Sequence, residues 1–171
     1  MLIELCRGVT LQSGMYAAVI APDHILAAAF GSDGSFRKYR TVFVLGTGYG
    51  APPLPLGMFP EAEVSSAGNA RDLIAAIRES SHTLVFVGHD PGLFSGTEKL
   101  VQPAASAFSA AGRESLVLLH ARSRDPVFSA LARYAARRIE IIPLARASLP
   151  LSYEASLSGR LPRAQTRLGV S

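Results

Sequence analysis

Two short segments place reactive side chains among glycines, directly after apolar runs. Gly88-His89-Asp90-Pro91-Gly92-Leu93 follows Leu84-Val85-Phe86-Val87. A histidine titrating near neutrality beside a carboxylate is suited to general acid–base work or to attack on a phosphoester. A lone histidine at a strand end is more often a hydrogen-bonded turn residue, so no catalytic residue is assigned, and His89 and Asp90 are kept as the alternative. Gly46-Thr47-Gly48-Tyr49-Gly50 follows Thr41-Val42-Phe43-Val44-Leu45 and hints at a dinucleotide loop. The G-x-G-x-x-G spacing fails there, because Ala51-Pro52-Pro53 blocks a helix start, and the segment reads as a turn. His24, His82, His89 and His120 fall near different strand ends. They show no H-x-x-x-H spacing and no acidic partner at ligand spacing, so no metal site is expected. Cys6 is the one cysteine, which excludes an internal disulfide, and it reads as a small core residue.

Arginine offers a different chemistry, the bidentate grip on phosphate or carboxylate. Residues 1–85 carry six Lys/Arg against seven Asp/Glu, and residues 86–171 carry eleven against six. The candidate nucleic-acid-binding residues are Arg122, Arg124, Arg137, Arg138, Arg160 and Arg163. Solvated helix and hairpin faces are the alternative for each of them. Aromatic interleaving for base stacking is limited to Phe94, Phe108 and Tyr153. The proline-rich stretch 51–60 carries Leu54, Leu56, Met58 and Phe59, an apolar set expected to meet a protein partner.

The elements that must position these groups follow from pattern. With 171 residues, 49% of them hydrophobic, the chain reads as a single domain over 1–171 with a real core. Its apolar runs are too short to span a bilayer, and its N-terminus lacks the order of a signal peptide, so a cytoplasmic protein is expected. Buried strands are predicted at 15–20, 41–45, 82–87, 115–120 and 138–143. Helices are predicted at 25–30, 69–80 with Asn69 as N-cap, 103–111 stopped by Gly112, and 125–136 with Asp125 as N-cap and Pro126 first. Continuous apolar strands alternating with helices predict an α/β three-layer sandwich with a mostly parallel central sheet. Two β-like pieces at 149–157 and 160–168 predict a C-terminal β-hairpin through Ser158-Gly159.

The order of these pieces resembles the RecA/RadA/KaiC-like ATPase core. The resemblance is carried by Leu5-Cys6-Arg7-Gly8-Val9 and Ser13-Gly14 ahead of the first buried strand. Asp72-Leu73-Ile74-Ala75-Ala76-Ile77-Arg78 precedes the third, and Ala130-Leu131-Ala132-Arg133-Tyr134-Ala135-Ala136 precedes the last. It spans nearly the whole chain and implies a RecA-like fold. The departures fall where that family does its chemistry. The slot for G-x-x-x-x-G-K-[ST] reads Ala21-Pro22-Asp23-His24-Ile25-Leu26-Ala27-Ala28, with Ala27 and Ala28 in place of the Lys and Ser/Thr. Gly88 stands where the Walker B Asp would end a strand, and Gly48 or Tyr49 where a Glu would activate water. Phosphoryl transfer needs a cation clamp and a metal. The resemblance therefore implies a P-loop-less, non-catalytic ATPase paralogue without cofactor. It would be an oligomer-forming accessory protein of DNA recombination or repair. Its partner would be an active recombinase-type ATPase or a second copy, with single- or double-stranded DNA as a further one and no membrane. Two alternatives stay open. Gly88-His89-Asp90 resembles the second histidine motif of small histidine phosphatases, although Cys6-Arg7-Gly8 lacks their nucleophilic histidine, and this keeps a hydrolase using His89 in view. The other is an assembly module with no nucleic-acid role.

Overall fold

The computed structural model describes residues 1–31, 37–54, 57, 59–144 and 152–157. A short antiparallel hairpin, β1 (Leu2–Cys6) and β2 (Val9–Gln12), comes first. There follow β3 (Met15–Ile20), α1 (Asp23–Gly31), β4 (Thr41–Gly46), β5 (Glu63–Ala67), α2 (Ala70–Glu79) and β6 (Leu84–Gly88). Two 3-10 turns lead into α3 (Val101–Ala111), and β7 (Leu116–Ala121), α4 (Pro126–Ala132), β8 (Arg137–Leu144) and β9 (Ser152–Leu157) complete the chain. Strands β3 to β9 form one sheet in the order β5-β4-β6-β7-β3-β8-β9. The first six of these are parallel, and β9 runs antiparallel to β8.

Alternation along the strands divides the core into two halves. Val42, Val44, Val85, Val87, Val117 and Leu119 face α2, α3 and α4. Phe43, Leu45, Phe86, Leu116 and Leu118 face the hairpin and α1. Both faces are covered, so β4, β6 and β7 are buried at every position and read as unbroken apolar runs. Fully burying a side chain such as Phe43 or Phe86 contributes about 1.5–3 kcal/mol. The three-layer α/β sandwich expected from the sequence is the observed one.

Local signals hold at the helix starts. Asn69 caps α2 by accepting from the Arg71 and Asp72 amides at 2.8 and 3.0 Å. Asp125 caps α4, with Pro126 in the first turn. Gly112 ends α3 for a reason of space, since a Cβ there would lie 2.8 Å from the Tyr16 backbone nitrogen.

One strand has no counterpart in the sequence pattern, and one expected surface is corrected. Strand β5 carries no sequence signal, because Glu-Val-Ser-Ser-Ala sits at the sheet edge and is largely exposed. The first expected β-like piece forms β9, which pairs antiparallel with β8, and the second piece at 160–168 lies outside the described residues. Of the apolar residues expected to meet a partner, the two described ones, Leu54 and Phe59, are buried. Leu54 and Phe59 are both 3% exposed, and the Phe59 ring packs edge-on against Phe43 with centroids 5.5 Å apart. Burial on the α1 side of the sheet removes them from any partner-facing surface. Leu56 and Met58 lie outside the described residues. Among the described residues no helix is long and apolar enough to cross a membrane.

The topology fixes where a ligand would be sought. After β3 the chain turns to α1 on the hairpin face. After the neighbouring β7 it turns to α4 on the opposite face. The two connections part at the carboxyl edge, and such a switch point opens a crevice in parallel sheets.

Candidate functional site

The crevice at the β3/β7 switch point is filled by the chain itself. From β3 the backbone passes through Ala21 and Pro22 straight into α1, with no loop between. Asp23 opens the helix and puts its carboxylate in the first turn, where the helix dipole favours a negative charge. From the end of β7, Arg122 reaches across, and its Nε donates to both Asp23 oxygens at 3.0 Å. The same guanidinium donates through Nη1 to the Tyr49 carbonyl at 2.7 Å and lies 4.4 Å from the centre of the Tyr49 ring.

Beneath this pair runs a buried polar relay. His120 is the one polar residue within the apolar run of β7 and is completely buried. Its Nε2–H donates to the Ala21 carbonyl at 2.7 Å, which leaves Nδ1 as an acceptor. The Tyr49 hydroxyl donates to that Nδ1. Burial lowers the His120 pKa to about 4, against a smaller raising effect of the Ala21 bond. Burial also pushes the Tyr49 phenol up, helped by the Asp23 charge and opposed by Arg122. Both groups are therefore neutral at pH 7, and the relay ties β3, β7 and the loop after β4 together without a mobile proton.

The neighbouring strand ends are closed in the same way. Asp90 accepts from the Gly48 amide at 2.7 Å and from the Gly92 amide at 2.9 Å. A Cβ at Gly48 would lie 2.8 Å from Asp90 Oδ2. A Cβ at Gly88 would lie 2.7 Å from the Tyr49 ring and 2.8 Å from Leu45 Cδ2. The glycines at these positions thus leave room for side chains that arrive from other elements.

His89 meets Asp125 rather than Asp90. Its Nε2–H donates to Asp125 Oδ2 at 2.6 Å, while Asp125 Oδ1 caps α4 through the Phe128 amide at 2.9 Å. The His89 side chain is 3% exposed and packs edge-on against Phe128. Burial lowers its pKa, and the Asp125 carboxylate works in the opposite direction. The sequence reading that paired His89 with Asp90 is corrected, because both Asp90 oxygens serve backbone amides. The real partner lies 36 residues away in Asp125, which the sequence marked only as the N-cap of α4.

The candidate arginines separate into groups. Arg122 is held by Asp23, and Arg124 by Glu140. Arg137 donates to the Thr10 carbonyl at 3.1 Å and carries no carboxylate partner among the described residues. Arg138 is exposed near the α4 face of β8. Arg160 and Arg163 lie outside the described residues. The histidines do not converge: among the described residues no group of three His, Cys, Asp or Glu side chains could hold a metal ion.

No protein-family model and no curated protein matches the chain in sequence. Solved structures match in shape. A KaiC-like protein from the hyperthermophilic archaeon Pyrococcus horikoshii aligns with a TM-score of 0.53 at 8% identity, covering 85% of this chain and 80% of that one. The fold is RecA-like: a mostly parallel sheet between two layers, with the antiparallel β9 at its C-terminal edge.

Proposed function

We propose that this chain is a non-catalytic RecA-like accessory protein, an assembly partner in DNA recombination or repair that neither binds nor hydrolyses nucleoside triphosphate. The observation that carries the reading is the Asp23–Arg122 pair at the β3/β7 switch point. A phosphate approaching the start of α1 meets a carboxylate where it would need backbone amides and a lysine. The arginine that could offset that charge is already engaged. The Gly48 and Gly88 positions add to this, since Asp90 and the Tyr49 ring leave no room there for a metal-binding or water-activating carboxylate. A scaffold of this kind contributes surfaces rather than chemistry. Its partner would be an ATP-hydrolysing protein of the same fold or a second copy, with DNA as the shared ligand.

The test is direct. Isothermal titration with ATP and magnesium is expected to show no binding at millimolar nucleotide, and purified protein is expected to release no phosphate. A measurable ATPase rate that disappears on substituting a crevice residue would overturn the reading.

The His89–Asp125 pair favours a second reading, a hydrolase in which the carboxylate orients the imidazole. It predicts turnover of a generic phosphoester that His89→Ala abolishes. The near-complete burial of the ring favours a clamp between β6 and α4 instead.

A further inference from the structure

The opposite edge of the sheet differs in kind from the crevice. At the amino ends of the strands, two turns flank the start of β3. One is the turn at 112–115 before β7, tied to β3 by the Gly14 amide donating to the Ser115 carbonyl at 3.0 Å. The other is the turn at 133–136 before β8, tied by the Ala136 amide donating to the Tyr16 carbonyl at 2.8 Å. Since β7 and β8 are the two neighbours of β3, the turns stand two strand spacings apart, about 10 Å. The first turn presents Arg113. The second presents Arg133 and Tyr134 and runs into Arg137. All four are exposed, and Tyr134 is 48% exposed, while the other described Phe and Tyr rings from Tyr16 to Phe128 are buried or half-buried. None of the three arginines has a carboxylate partner among the described residues. The acidic side chain within these turns is Glu114, and Glu4, across the hairpin from Thr10, accepts from the Gly8 amide.

We propose that this amino-edge patch of Arg113, Arg133, Tyr134 and Arg137 binds the sugar–phosphate backbone of single-stranded nucleic acid, with Tyr134 stacking on a base. Arginine presents a planar fork that matches phosphate oxygens, and it is arginine, with no lysine, that occupies these turns. An exposed tyrosine among cations separates single strands from other polyanions, because an unstacked base offers a face for the ring. Arg122 and Arg124, the arginines first expected to serve this purpose, are neutralised at the other edge. Arg137, also expected, lies in the patch. The inference rests on the accessory-protein reading for its nucleic-acid partner, and it fails separately from it.

The experiment is fluorescence anisotropy with a labelled oligo-dT strand at about 50 and 200 mM salt, where counterion release makes phosphate contacts visible. The expected result is binding by the wild-type protein that weakens with salt. The Arg113→Ala/Arg133→Ala/Arg137→Ala triple variant is expected to lose at least tenfold in affinity. Three lost phosphate contacts, at about 0.7 each, should lower the salt slope by about 2. Tyr134→Ala should lower affinity with the salt slope unchanged. Arg113→Glu/Arg133→Glu, which leaves the Arg137 bond to Thr10 in place, should abolish binding while the circular dichroism spectrum and melting temperature stay wild type. Arg71→Ala/Arg78→Ala on the far helix α2 should bind normally. Absence of DNA binding, equal loss in the α2 variant, or binding to anionic lipid vesicles with no binding to DNA would each overturn the proposal. A protein that hydrolyses ATP yet loses DNA on the triple substitution would refute the accessory reading and leave this patch standing. A protein that ignores both ATP and DNA would do the reverse.

Discussion

Acidification should load a cost onto this fold that can be assigned to one ring. His120 donates from Nε2 to the Ala21 carbonyl and accepts at Nδ1 from Tyr49, so a second ring proton has no place to go. Its folded pKa is near 4, against 6.5 for a free imidazole. At pH 7 the folded ring is neutral and the unfolded one mostly so, and it adds little pH dependence. As pH falls below 6.5 the unfolded chain takes up a proton that the folded chain refuses, so stability declines until pH passes about 4. The full difference corresponds to about 3 kcal/mol, of which about 2.5 kcal/mol is reached by pH 4.5. Urea unfolding of wild type and His120→Asn at intervals from pH 7 to 4.5 isolates the effect. Buried carboxylates and His89 contribute alike to both proteins, so the stability difference between them is the measured quantity. It should shift in favour of the variant by 2 kcal/mol or more across that range, within the precision of about 10–15% expected for extrapolated values. A flat difference, or a His120 ring titrating above pH 6 by NMR, would refute the relay as described.

Other perturbations probe the packing around the same edge. Gly88→Ala places a methyl 2.7 Å from the Tyr49 ring and should cost about 1–3 kcal/mol by calorimetric melting, and an unchanged melt would show that the ring has room to move. Asp125→Ala removes the α4 cap, worth about 1 kcal/mol, and strands the buried His89 donor, worth about 1–3 kcal/mol more, and a loss of under 0.5 kcal/mol in urea would contradict the clamp. Asp125→Asn, which keeps a capping oxygen, should fall between the two. The Tyr16 hydroxyl is buried with no hydrogen-bond partner among the described residues, so Tyr16→Phe should leave the melting temperature unchanged or raise it, and a fall of several degrees would reveal a partner.

The parallel strands were legible because their burial is total. A strand covered on both faces must be apolar at every position, and Val42 to Leu45, Leu84 to Val87 and Leu116 to Leu119 are so. Strand β5 was illegible for the converse reason: an edge strand that is mostly wet has no apolar period to read. Helix starts were legible because a cap is a contact over three residues, as at Asn69 and Asp125. The crevice was not, because its contacts join residues 71 and 99 positions apart. One signal was available. A histidine inside the run Leu116-Val117-Leu118-Leu119-His120-Ala121 must find partners for two ring nitrogens, and on a central strand those partners come from adjacent connections. That argument names the connections after β3 and β6, the neighbours of β7, so it reaches Ala21 and misses Tyr49, which comes from the loop after β4, two strands away.

Under the proposed function, the closed crevice is a property of several residues rather than of one lost motif. Restoring an aspartate at position 88 would drive its Cβ into the Tyr49 ring, and restoring a glutamate at position 48 would drive it into the Asp90 carboxylate. Moving the Tyr49 ring aside would break the hydroxyl bond to His120 and remove the surface on which Arg122 rests. Releasing Arg122 would leave Asp23 unpaired at the start of α1. Each repair therefore damages a contact that another position depends on, and single substitutions are expected to destabilise before they confer any affinity for phosphate. The structural energy of this edge lies in keeping the strand ends together, which leaves the opposite edge, whose arginines have no carboxylate partner among the described residues, as a surface with charge to offer.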